Sequence, residues 1–223
     1  MSGKTAIFDL DGTLADTSGD LLAAANVCFR GMGHGDVLGP GDALVAMAGG
    51  RAMLRLGFGR LGPGWNETDV DGQYPLLLAA YGASIDRFTV IYPGVEAALA
   101  VLEGQGWRLG VCTNKPEGLA EALMARLGLR RWFAGLVGAD TLPVRKPDPA
   151  PYREVVRRVG GDLARSVLIG DTVTDRDTAR AAGVPVVLVT FGPSGLGVAE
   201  LGPEGLLDHY DALPGVLADL VAD

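Results

Sequence analysis

Five short apolar runs punctuate the chain: Thr5–Phe8, Leu109–Cys112, Gly135–Val137, Val167–Ile169 and Val184–Val189. None alternates with polar residues, so each reads as a strand covered on both faces, the pattern of a buried parallel sheet. Amphipathic stretches with helix stop signals lie between them. Gly94–Glu103 follows Pro93, and Glu117–Leu127 follows Pro116 and stops at Gly128. Ala150–Val159 and Asp175–Ala182 likewise stop at Gly160 and Gly183. Proline at the entry and glycine at the exit are the expected punctuation. Strand alternating with helix predicts an α/β fold, a doubly wound Rossmann-like parallel sheet.

Residues 16–88 depart from that pattern. Leu21, Ala25, Cys28, Phe29 and Met32 recur at helical spacing, as do Val70, Tyr74, Leu77, Leu78 and Tyr81. Ala43–Met47 and Arg51–Leu56 read as further helices, and glycines cluster at two apparent joints, Gly31 to Gly35 and Gly57 to Gly64. The expectation is a helical cap domain over 16–88, inserted after the first strand of a core made of 1–15 and 89–223.

Composition bounds the function. Hydrophobic residues make up 48% and the net charge is −8, with no basic run. Nucleic acid and anionic membrane are therefore poor partners. No apolar run approaches the ~20 residues of a membrane span, and no signal-peptide stretch opens the chain, so the expected location is cytoplasmic. Cys28 and Cys112 sit in apolar surroundings and read as reduced core thiols. Of nineteen basic residues only Lys4, Lys115 and Lys146 are lysine. In a chain that uses arginine by default, a lysine at a special place suggests a need for a compact point charge.

Four polar clusters follow the ends of the strands, where open parallel sheets bind ligands. The first is Asp9-Leu10-Asp11-Gly12-Thr13, two carboxylates able to reach one centre. A hairpin turn at Asp-Gly is the alternative. The second, Thr113-Asn114-Lys115, could simply cap the helix after Pro116. The third, Arg145-Lys146-Pro147-Asp148-Pro149, could be a solvated loop. In the fourth, Gly170-Asp171-Thr172-Val173-Thr174-Asp175, the last residue could serve only the helix dipole. Four such coincidences on one sheet edge are harder to accept than one site. The strand-end carboxylates have no His or Cys nearby, an oxygen-only set that suits Mg²⁺ over zinc.

In this order the clusters resemble the four motifs of the haloacid dehalogenase superfamily of phosphohydrolases, most closely its phosphoglycolate phosphatase-like subgroup. FDLDGTLADT, TNK, RKPDP and GDTVTD carry the likeness, which spans Thr5 to Gly183. The resemblance implies a phosphatase acting on a small phosphorylated metabolite, as a monomer or homodimer. It implies Asp9 as nucleophile forming an aspartyl phosphate and Asp11 as acid and base. Thr113, Asn114 and Lys146 would bind the phosphoryl group. Mg²⁺ would lie on Asp9, the Asp11 carbonyl and Asp171, with Asp175 supporting the metal or Lys146 from behind. For the rest of the substrate, Arg51 after Gly49-Gly50 is the candidate, an arginine fork suited to a carboxylate. A phosphomutase resembling β-phosphoglucomutase and a non-catalytic binding protein on the same fold are the alternatives.

Overall fold

The computed structural model describes residues 3–221. In chain order its main elements are β1 (Thr5–Phe8), β2 (Ala15–Asp16), α1 (Ser18–Gly31), α2 (Ala43–Met47), α3 (Gly50–Leu61) and α4 (Glu67–Ala83). Then come β3 (Val90–Ile91), α5 (Val95–Gly104), β4 (Arg108–Cys112), α6 (Glu117–Arg126), β5 (Gly135–Val137) and α7 (Pro149–Arg158). The chain closes with β6 (Ser166–Gly170), α8 (Val173–Ala182), β7 (Val186–Val189), β8 (Gly205–Leu207) and α9 (Leu213–Leu220). It divides into two compact units, Met1–Ala15 with Ile91–Asp223, and Asp16–Val90. Among the described residues no helix is long and apolar enough to cross a membrane.

The first unit holds a six-stranded sheet in the order β5-β4-β1-β6-β7-β8, every pair parallel. The five apolar runs are its first five strands. The sixth, β8, was not anticipated: three residues with a glycine give almost no strand signal. The fifth run also begins later than expected, at Val186 rather than Val184. Pro185 has no N–H to give the ladder, although its carbonyl still accepts from Leu168 N at 3.1 Å. Ile7, Cys112, Val137, Leu168, Val186 and Leu188 pack with Tyr152 and Val155 of α7, Val159 just past its end, and Ala179 of α8. The alternate positions Phe8, Val111, Ile169 and Val187 point to the opposite face and are equally buried.

Strand order places the site. From β1 the sheet grows through β4 and β5 on one side and through β6 to β8 on the other. The strand order therefore reverses at β1, and open α/β sheets bind ligands at such a switch point. Phe8 is level with Val111 of β4 and Ile169 of β6. Asp9, Thr113 and Asp171 thus leave adjacent strands within a residue of one another.

The second unit is helical. Asp20 ties its ends: the Asp20 Oδ2 accepts from Phe88 N, Thr89 N and Thr89 Oγ1 at 2.8–2.9 Å. Helix α3 runs through Gly57 and Gly59, which the sequence pattern suggested were a joint. A Cβ on Gly57 would lie 2.0 Å from Phe29 Cζ. That glycine is there because α1 and α3 approach closely, and chain flexibility has no part in it.

Candidate active site

The turn after β1 is closed by its own backbone. Leu14 N and Ala15 N both donate to Leu10 O, and Gly12 N donates to Ala15 O at 2.9 Å. Gly12 has φ +77°, a conformation that only glycine adopts without strain. The result is a tight loop that ends one strand without starting a hairpin. Two side chains pin it. Thr13 Oγ1 donates to Asp171 Oδ1 at 3.3 Å, and the Tyr210 hydroxyl donates to Thr13 O at 2.8 Å.

Asp9 is buried at the end of β1. Its Oδ1 accepts from Leu10 N at 2.7 Å, and its Oδ2 lies 3.1 Å from Lys146 Nζ. Lys146 also donates to Asp175 Oδ1 at 2.6 Å. Burial alone would push the Lys146 ammonium down, but the carboxylates of Asp175 and Asp9 more than reverse this and hold it charged. Asn114 spends its amide on the backbone: Nδ2 donates to Lys146 O at 3.0 Å, holding the lysine's own residue in place. Thr113 Oγ1 accepts from Lys115 N at 3.2 Å and keeps its proton for another acceptor. Neither Thr113 nor Asn114 caps α6; Asp140 Oδ1 takes the Glu117 N–H instead, at 2.7 Å.

Asp175 sits in the first turn of α8. Its Oδ2 accepts from Thr172 N and Thr172 Oγ1, at 3.1 and 2.8 Å, and its Oδ1 from Lys146. Both oxygens are engaged, so this carboxylate supports Lys146 and the loop. Its closeness to the strand requires Gly170, where a Cβ would lie 2.3 Å from Asp175 Cγ.

The electrostatics of this cluster are those of a cation site. One oxygen from each of Asp9, Asp171 and Asp175 lies within 4.8 Å of the others. Asp171 Oδ2 is buried with no hydrogen-bond partner among the described residues. Burial, opposed by Lys146 and reinforced by Asp175 and Asp11, raises the Asp9 carboxyl to about 6. Burial followed by the charges of Asp175 and Asp9 pushes Asp171 well above the usual range. Excess buried negative charge plus an orphaned carboxylate oxygen fits a hard divalent cation such as Mg²⁺, and Asp9 and Asp171 are side chains that could hold it. Cys112 lies alongside, but burial pushes its thiol up to about 12, which makes it inert.

Asp11 is held apart from this cluster. Lys115 Nζ donates to Asp11 Oδ1 and Oδ2, both at 2.8 Å. Lys115 is the site residue to which the sequence alone assigned no role; its scarcity among so many arginines was the available signal. Arg51, in the helical unit, pairs with Asp71 and lies over the Tyr74 ring, 4.5 Å from its centroid.

Comparison with known proteins places the chain in a family. A phosphoglycolate phosphatase of Mesorhizobium japonicum is 40% identical over 219 residues, covering 98% of this chain and 96% of that protein. One from Agrobacterium fabrum is 37% identical, covering 97% and 94%. In fold, the chain resembles a Haemophilus somnus protein described as a predicted phosphoglycolate phosphatase, with a TM-score of 0.84 at 24% identity over 97% and 98% of the two chains. The profile of the haloacid dehalogenase-like hydrolases matches residues 6–189, from within β1 to the end of β7 and across all four polar clusters, and the chain belongs to that family.

Proposed function

We propose that this protein is a Mg²⁺-dependent phosphatase of a small phosphate monoester, phosphoglycolate or a similar carboxylated ester, acting through an aspartyl phosphate on Asp9. The observation that carries the reading is the division of labour between two carboxylates. Asp9 lies beside Lys146 at 3.1 Å, while Asp11, two residues on, is gripped by a different lysine. A site built only to bind has no use for two carboxylates held separately. The names of the full-length relatives support the substrate class.

In the first half-reaction an Asp9 oxygen attacks phosphorus and the bond from phosphorus to the substrate alcohol breaks. Asp11 gives its proton to the departing oxygen. In the second half Asp11 takes a proton from water, the water oxygen attacks phosphorus, and the bond from phosphorus to Asp9 breaks. Phosphate leaves and Asp11 is protonated again. Lys146 and the Thr113 hydroxyl face the charge on the phosphoryl oxygens. Mg²⁺, held by Asp9, Asp171 and the Asp11 carbonyl, would supply the remaining neutralisation when bound. Arg51 is proposed as the receptor of the substrate carboxylate, exchanging the Asp71 carboxylate for it.

The test is phosphate release from a panel of small esters that includes phosphoglycolate. Turnover is expected with Mg²⁺, loss in excess EDTA and recovery on adding the metal back. Asp9→Asn should form no phosphoenzyme. Arg51→Ala should lose about ten- to a hundredfold in kcat/KM on phosphoglycolate and little on 4-nitrophenyl phosphate. Full activity in EDTA would remove the metal from the reaction, and phosphoenzyme in Asp9→Asn would remove the nucleophile. A panel without any turnover would end the phosphatase reading.

A further inference from the structure

We infer that Lys115 is a positioning residue for Asp11, fixing the carboxylate that must serve both half-reactions. The inference rests on the phosphatase reading above and goes beyond it to a residue acting through another. Asp11 lies on a turn and keeps 18% of its side-chain surface exposed, so nothing about burial alone fixes its torsions. Lys115 does so by donating to both carboxylate oxygens at 2.8 Å, from a side chain only 3% exposed. The lysine is itself anchored. Its N–H donates to Thr113 Oγ1 at 3.2 Å, and its carbonyl accepts from Ala139 N at 2.9 Å. The loops after β4 and β5 therefore set where Nζ stands, and Nζ sets where Asp11 points.

The geometry leaves Asp11 usable. Each carboxylate oxygen has two lone-pair positions, so a contact to Nζ does not by itself exhaust an oxygen's capacity to exchange a proton. Lysine suits the task because a point donor can reach both oxygens without the planar fork that would commit them in a fixed plane. Lys146 is already committed to Asp9 and Asp175, so the two buried lysines divide the site's acids between them.

A merely structural ion pair and a positioning pair are separable by which step suffers. A 4-nitrophenolate leaving group needs little acid help, so the first half-reaction on 4-nitrophenyl phosphate should tolerate a misplaced Asp11. Hydrolysis of the phosphoenzyme still needs Asp11 as base. Lys115→Met should therefore release close to one equivalent of 4-nitrophenolate per site in a rapid burst, with later turnover slowed about ten- to a hundredfold. Lys115→Arg, which keeps the charge, should recover part of the loss. In a double-mutant cycle, Asp11→Asn/Lys115→Met should be no slower than Asp11→Asn alone, since a residue acting only through Asp11 has nothing left to position. If Lys115→Met does not fold, Lys115→Gln and Lys115→Arg run the same cycle. Additive losses, burst and turnover slowed equally, or unchanged turnover each overturn the inference while wild-type hydrolysis stands. A wild type that releases no phosphate from any ester overturns the phosphatase reading, and this inference with it.

Discussion

Replacing Lys146 by Met should expose how much of this fold is spent on holding acids together. The lysine is buried with Asp175 at 2.6 Å and Asp9 at 3.1 Å, and Asp171 shares the same cluster. At an effective dielectric constant of about 20, each of the two contacts is worth about 5–6 kcal/mol of attraction. Desolvating the ammonium returns several kcal/mol of that, and removing one partner of a buried pair costs about 3–5 kcal/mol. Methionine fills much the same volume, so the loss is electrostatic. It must also depend on pH. Without the lysine, Asp9 and Asp171, both raised by burial, bind protons more tightly in the folded state than in the unfolded chain. The deficit is then smallest at low pH and grows as pH rises through the raised values. Urea melts in EDTA should show the full deficit near pH 7.5 and a clearly smaller one near pH 5. Mg²⁺ should return part of the deficit at the higher pH by replacing the missing positive charge. A loss below about 1 kcal/mol at pH 7.5, or one that does not vary with pH, would refute this account of the cluster.

Three other perturbations follow from the same geometry. In EDTA the wild type should lose stability as pH rises: the Asp9 carboxyl is raised from 3.8 to about 6, so its contribution of about 3 kcal/mol is complete below pH 4 and gone above 6. Melting temperatures against pH, compared with Asp9→Asn, isolate that contribution; parallel curves would exclude it. Gly57→Ala in the helical unit gains about 1 kcal/mol of helix propensity but forces a Cβ to within 2.0 Å of the Phe29 ring. Overpacking of this kind costs about 1–3 kcal/mol or more, so a net loss is expected, and a higher melting temperature would contradict it. Tyr210→Phe removes the hydroxyl that donates to Thr13 O at 2.8 Å. A loss of about 1–2 kcal/mol with a lower kcat is expected, and a wild-type kcat would show that the turn after β1 holds without it.

The sheet was legible because burial on both faces leaves no room for polar alternation. β1, β4, β5 and β6 announce themselves as apolar runs, and a buried polar residue marks where three of them end. β8 gave no such notice because an edge strand of Gly-Leu-Leu needs little from its own residues once β7 offers a ladder. Gly57 was misleading for the opposite reason. Propensity reads a glycine as a break, but here the missing Cβ is a packing requirement set by Phe29, twenty-eight residues earlier in the chain. Asp9, Thr113, Lys146 and Asp171 could be found because each terminates a strand or follows one in a recognisable motif. Lys115 stood in one of those motifs, yet its partner is 104 residues away and no local spacing rule joins them. Tyr210 is further still, 197 residues from the carbonyl it holds. The residues proposed to meet the phosphoryl group are thus written locally, at strand ends or in the motifs that follow them. Their long-range partners are fixed only when the strand order β4-β1-β6 brings separate loops to one edge, and the contacts that hold the Asp11 carboxylate and the β1 turn are of that kind.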